Sequence, residues 1–352
     1  MKYLAILLPL LGGNASPILP DLSGLLDLGF PWIHPTPDPT PGSVPTPDPD
    51  PVIQNYTLIW HDEFTPASGR EYLPASTNWL FDTGTSYPSG APAWGNNELQ
   101  TYTTSRENIQ ITKSGTLQII PRYSPNDENG QGEGEGGSQE WTSARIETSE
   151  TFSAPTNGKL YIEARLRTGC APASQQSGIW PAFWALGESF RDDPTYWPMA
   201  SEWDFMEVIN GQATVYNTLH CGRDSSEGGP CGEYTGLGNG GVEWSGCEWH
   251  VVGFEVDRSP IDGGGRGRGW KDETLRWFVD GQQTHLVSGG DVGDEEVWER
   301  VAHQGHFLLL NVAVGGNWPG YPDERTVDGE RVAMEVDYVR VYTAKLNIAA
   351  QP

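Results

Sequence analysis

Lys159-Leu160-Tyr161-Ile162-Glu163-Ala164-Arg165-Leu166-Arg167 decides the fold class. Leu160, Ile162, Ala164 and Leu166 alternate with Tyr161, Glu163, Arg165 and Arg167, and successive side chains point to opposite faces only in an extended strand. The period predicts one face against a core and the other in a groove or in solvent. Similar runs recur at Tyr56–Trp60, Asn108–Thr112, Thr116–Ile120, Ser143–Thr148, Thr214–His220, Trp249–Asp257, Leu275–Val279, Phe307–Val314 and Glu335–Tyr342. Loops rich in Gly, Pro and Asn separate them, and no sustained helical period intervenes. Short strands without a helical layer predict an all-β fold. Two packed antiparallel sheets, a β-jelly-roll sandwich, would form one domain over residues 53–345.

On the N-terminal side, Met1-Lys2-Tyr3, the apolar run Leu4 to Leu11 and Gly12-Gly13-Asn14-Ala15 have the order of a secretory signal peptide, predicted for residues 1–15. The run is far shorter than the roughly 20 residues of a membrane-spanning helix, so an extracellular protein with no membrane partner is expected. Residues 16–52 pass from the apolar Leu22–Phe30 into proline alternating with Thr or Asp. That composition buries nothing and predicts an extended spacer. Residues 346–352 form a C-terminal tail.

The chain has Lys+Arg 21 against Asp+Glu 47, a formal charge of −26. Such a field repels phosphates and anionic headgroups, and the densest basic group is only Arg266, Arg268 and Lys271, which excludes nucleic acid as a partner. Trp 15 and Tyr 13 suit either a sandwich core or stacking platforms for a sugar. Four cysteines in an exported chain predict disulfides with three possible pairings, of which Cys221–Cys231 closing a local loop, with Cys170–Cys247 left over, is favoured; zinc is the alternative, without a C-x-x-C pair to support it. Asn55-Tyr56-Thr57 and Asn14-Ala15-Ser16 are glycosylation sequons. A monomer is expected.

Chemistry concentrates in Ser201-Glu202-Trp203-Asp204-Phe205-Met206-Glu207-Val208. Three acids on one strand repel one another, which demands a compensating use. On a regular strand Glu202 and Asp204 share a face and Glu207 points to the other. A β-bulge at Phe205 or Met206 would return Glu207 to their side. Two glutamates leaning together then suit a retaining glycosidase, in which one carboxylate attacks the anomeric carbon and the other moves a proton. Asp204, between them, would split their pKa values. A solvated acidic edge or a calcium site are the plainer readings.

Glu202-Trp203-Asp204-Phe205-Met206-Glu207 resembles the E-x-D-x-x-E signature of glycoside hydrolase family 16, in the bulged form of laminarinase-like β-1,3(4)-glucanases. Ordered matches surround it: Trp60-His61-Asp62-Glu63-Phe64, Trp94-Gly95-Asn96-Asn97-Glu98-Leu99-Gln100, Ser143-Ala144-Arg145-Ile146, Trp180-Pro181-Ala182-Phe183-Trp184-Ala185-Leu186, Asn311-Val312-Ala313-Val314-Gly315-Gly316-Asn317-Trp318-Pro319-Gly320 and Val336-Asp337-Tyr338-Val339-Arg340-Val341-Tyr342. The resemblance implies an open cleft on a jelly roll and double displacement on β-1,3 or mixed β-1,3-1,4 glucan. It makes Glu202 the nucleophile, Glu207 the acid/base and Asp204 the residue that tunes them, with His220 touching the acids from a neighbouring strand. It also implies a structural calcium near Glu63 and Asp337; no cofactor is expected for catalysis. Trp184, Trp197 and Trp318 are candidates for stacking on pyranose rings, and Asn96 and Arg145 for hydroxyl contacts. Transglycosylation by the same acids, or a lectin-like module that binds glucan uncut, are the alternatives. The chain departs from the pattern at Trp203, where many relatives carry an aliphatic residue, and in long insertions at Asn126–Gln139 and Gly222–Gly246.

Overall fold

The computed structural model describes residues 55–66, 72–125, 140–223, 228–260 and 269–345. The expected signal peptide, spacer, C-terminal tail and the insertion at 126–139 lie outside the described residues.

Two eight-stranded sheets face each other. In the first, the strand Gly158–Arg167 pairs antiparallel with His250–Asp257 on one side and Met334–Lys345 on the other. In the second, Ile179–Gly187 lies between Glu202–Glu207 and His306–Val314, and Thr214–His220 flanks the acidic strand. Every alternating run of the sequence is a strand, with ends moved by a few residues. Ile179–Gly187 lacks alternation because its neighbours bury it almost throughout; continuous burial removes the polar half of the period.

The polar face of Gly158–Arg167 corrects one expectation, because it meets neither groove nor open solvent along its first half. Tyr161 packs against Tyr56, Phe278 and Tyr342, and Glu163 accepts from the Tyr342 hydroxyl at 3.1 Å. Further along, Arg165 and Arg167 hold the Trp249 ring from 4.6 and 4.8 Å. A short helix, Glu295–Ala302, was not legible from the period. Asp294 caps it by accepting from the Val297 N–H, and it buries Val297, Trp298, Val301 and Ala302.

Between the sheets the core is aromatic. Phe205 lies 4.8 Å from both Phe183 and Phe254, Trp203 4.8 Å from Phe254, and Phe254 4.9 Å from Trp277. Fully burying each such ring contributes roughly 2–3 kcal/mol, so the underside of the acidic strand is a firm platform. Disulfides join Cys170 to Cys247 and Cys221 to Cys231, with Cα separations of 4.6 and 5.4 Å, inside the ordinary range.

The residues proposed for calcium are otherwise engaged. Arg340 donates to both oxygens of Glu63 at 2.8 Å, and Arg165 donates to Asp337 at 2.7 Å. Arg340 thus forks Glu63, whereas Asp337 offers one oxygen to a single Arg165 N–H, so in this arrangement both acids are paired with arginines.

Candidate active site

The acidic strand can be read from its pairing. Against Ile179–Gly187, Met206 faces Phe183 and Asp204 faces Trp184, leaving Phe205 without a partner. Against Thr214–His220, Asp204 faces Thr218 and Glu207 faces Tyr216, so Phe205 and Met206 together oppose Asn217. This is a β-bulge at the expected place. Trp203, Phe205 and Met206 enter the core, while Glu202, Asp204 and Glu207 all line one cleft of about 1260 Å³. The bulge interrupts the ladder, and the carbonyls it frees find other donors: Trp277 Nε1–H reaches the Asp204 carbonyl at 2.8 Å and Asn217 Nδ2–H the Phe205 carbonyl at 2.7 Å.

Each acid has its own surroundings. Trp197 Nε1–H donates to Glu202 at 3.2 Å and Trp180 Nε1–H to Glu207 at 3.0 Å. Carboxylate oxygens of Glu202 and Asp204 and a ring nitrogen of His220 lie within 4.8 Å of one another, with His220 Nε2 3.4 Å from Asp204. Burial lifts the Glu207 pKa to about 7, and the charge of Glu202 adds to it against the opposing pull of His220 and the Trp180 N–H. Burial also raises Glu202, and the charge of Glu233 adds to this, while His220, Arg145 and the Trp197 N–H pull it back toward the ionised form. Asp204 is raised well above the usual range by burial and then by the charges of Glu207, Glu202 and Glu233. Burial opposes the charged form of His220. The Glu233 hydrogen bond and the surrounding acids overcome that and lift it to about 9. The site therefore sets a histidine whose charged form the surrounding acids favour beside three carboxyls that burial raises, Glu207 to about 7, with Glu202 drawn back toward ionisation by His220, Arg145 and the Trp197 N–H.

The remaining sequence candidates also line the cleft, with different tasks. Trp184 donates from its indole to Asn311 at 2.7 Å. Trp318 is exposed and meets Trp180 and Tyr216 edge-on at 5.5 and 5.1 Å. Trp197 stacks on the exposed Tyr234 at 5.6 Å. Asn96 is exposed and donates to Glu98 at 3.2 Å. Arg145 is buried rather than offered to a ligand: it donates to Asp82 at 2.9 Å and to the Tyr87 hydroxyl at 2.7 Å, and lies under the Trp94 and Trp184 rings, 4.7 Å from each. It braces the cleft floor.

Sequence reasoning missed Trp180, Tyr216, Tyr234, Glu98 and Glu233. Trp180 sits inside a quoted motif, but its role depends on reaching across to Glu207. Glu98 is a further, half-buried acid of the cleft, with its pKa raised by burial. Glu233 belongs to an insertion and had no local signal.

No family model matches the chain. A beta-glucanase of Rhodothermus marinus is 31% identical over 297 residues, which cover 82% of this chain and 85% of that protein. The crystal structure of an endo-1,3-beta-glucanase from Streptomyces sioyaensis superposes with a TM-score of 0.72 at 35% identity, covering 86% of this chain and 100% of the other. The endo-beta-1,3-glucanase of Pyrococcus furiosus gives 0.59 at 31% identity, over 82% and 94% of the two chains. Together with the acidic strand and its cleft, these similarities make the protein a glycoside hydrolase, and the chain belongs to the laminarinase-like branch of glycoside hydrolase family 16.

Proposed function

We propose that the protein is an exported endo-β-1,3-glucanase that cleaves with retention of anomeric configuration. The observation that carries this reading is the bulge at Phe205, which sets Glu202, Asp204 and Glu207 on one cleft face. In the first step the Glu202 carboxylate attacks the anomeric carbon. The bond to the leaving oxygen breaks as Glu207 gives that oxygen its proton. In the second step Glu207, now a carboxylate, takes a proton from water; the water oxygen attacks the same carbon and Glu202 leaves as a carboxylate. A Glu207 pKa near 7 suits both halves.

An endo mode is supported by the aromatic groups. Trp197 and Tyr234 adjoin Glu202, while Trp180, Trp318 and Tyr216 adjoin Glu207. Stacking surfaces on both sides of the reacting acids suit a chain that runs through the cleft. The names of the relatives favour β-1,3 linkage, and the two disulfides agree with an oxidising destination. Laminarin, mixed-linkage glucan and agarose should be compared as substrates, with the anomer of the first product followed by NMR. Release of mixed-length oligosaccharides as the β-anomer is expected from laminarin. An α-anomer would exclude double displacement, and no cleavage would exclude the activity.

A further inference from the structure

Glu233 occupies a position that the reaction as described does not use. Its carboxylate has one oxygen 2.7 Å from His220 Nδ1, while the other accepts from the Cys221 N–H at 2.8 Å. The side chain is fully buried. His220 is paired in register with Glu202, and its other ring nitrogen faces Asp204 at 3.4 Å. The loop reaches Glu233 just past Cys231, whose disulfide to Cys221 ties it to the end of the His220 strand. Gly236 lets the backbone close over the ring: a Cβ there would lie 2.9 Å from His220 Nδ1, and its φ is +70°.

We propose that Glu233 is a positioning residue for catalysis, fixing His220 as a cation between itself and Asp204 so that Glu202 can remain ionised among the other acids. The inference rests on reading Glu202 and Glu207 as the reacting pair. The titratable groups that face His220 are Glu202 and Glu207 from the acidic strand and Glu233 from the loop, with Asp204 3.4 Å from Nε2. A lone imidazole buried this deeply would be neutral. With Glu233 bound to Nδ1, that nitrogen carries its proton and Nε2 turns its own N–H toward Asp204. The elevated His220 pKa agrees with this geometry. Glu233 never meets the sugar; it acts through the ring.

The test uses the oxidised full chain, with ¹⁵N-labelled histidine followed by NMR from pH 5 to 10 and H220Q for assignment. Wild-type His220 is expected to titrate near pH 9, and E233Q to lower that midpoint by more than about one unit. E233Q should lower kcat on laminarin by about tenfold, the rate equivalent of one such unit, with KM nearly unchanged. The double variant E233Q/H220Q should be no slower than H220Q, because the two residues act in series. If E233Q fails to fold, the wild-type titration decides alone, and a midpoint near 6.5 overturns the inference. So does an unshifted His220 in folded E233Q, or a double variant in which the losses multiply. A wild type that cleaves no glucan but shows the His220 shift would defeat the glucanase reading and leave the pairing intact.

Discussion

Asp204 and Glu207 in the cleft sheet are 3% and 9% exposed, and Glu255 and Asp257 in the sheet behind them 5% and 4%, yet the two pairs are neutralised in different ways. Lys159 reaches Glu255 at 3.1 Å and Asp257 at 3.2 Å, and Arg276 bridges the same two acids. The Tyr56 hydroxyl adds a further hydrogen bond to Glu255. Among the described residues, no lysine or arginine pairs directly with Glu202, Asp204 or Glu207; they share His220 and the N–H groups of two tryptophans. Permanent cations hold buried acids as fixed carboxylates, whereas a titratable cation and neutral donors leave them able to exchange protons. Equal burial thus gives a structural network on one sheet and a reactive one on the other.

Removing an acid from each network separates the two most clearly at the cleft. E202Q and E207Q should each lower kcat on laminarin by about 10⁴-fold or more, while melting temperature stays level or rises because a like-charge contact is relieved. A sharp fall in melting temperature with activity retained would assign these acids to structure. The next effect is on pH. Because Glu207 acts protonated and its pKa is about 7, kcat/KM should fall about tenfold per unit above that value. The same group gives a stability signature. A folded pKa above the ordinary carboxyl value means that the fold favours the protonated form; its contribution is present below about pH 4.5 and is lost as pH rises through 7. E207Q should flatten that part of the stability profile in denaturant titrations.

On the other sheet, R276M should lower stability by about 2 kcal/mol, between surface and fully buried pairs, with kcat within about twofold of wild type. A large loss of activity would show that the two networks are coupled. The smallest effect is expected for W318A, where loss of an exposed stacking ring raises KM for long laminarin chains several-fold, about 1 kcal/mol of binding, and leaves kcat unchanged. Equal KM on short and long substrates would place Trp318 outside the glucan path.

The sandwich was legible because alternation survives wherever a strand has one wet face, as in Thr214–His220. It faded where both faces are buried, as in Ile179–Gly187, and in Glu295–Ala302, which is too short to establish a period. The bulge could be anticipated because Trp203, Phe205 and Met206 must be hidden while three acids must not, and no straight strand does both. Partners brought by distant segments left no local mark. Arg145 lies in a motif that suggested ligand contact, but Asp82 and Tyr87 arrive from elsewhere to claim its guanidinium. Glu63 and Asp337 suggested a cation site, and nothing in their own segments showed that Arg340 and Arg165 pair with them. Glu233 is visible only once its loop is folded back on His220.

The hydrogen bond from Trp277 to the Asp204 carbonyl passes through the core from the sheet behind. The six-residue signature consequently supplies only part of its shape: its apolar and acidic side chains call for the bulge, but in a sandwich lacking an indole at that depth and an amide like that of Asn217 the two carbonyls would be buried without donors, at about 1–3 kcal/mol each. Attempts to graft this chemistry onto another scaffold must therefore transfer a cross-section of both layers, and Trp277→Phe offers a check: it removes the donor to the Asp204 carbonyl and opens a core cavity, so kcat on laminarin should fall along with melting temperature.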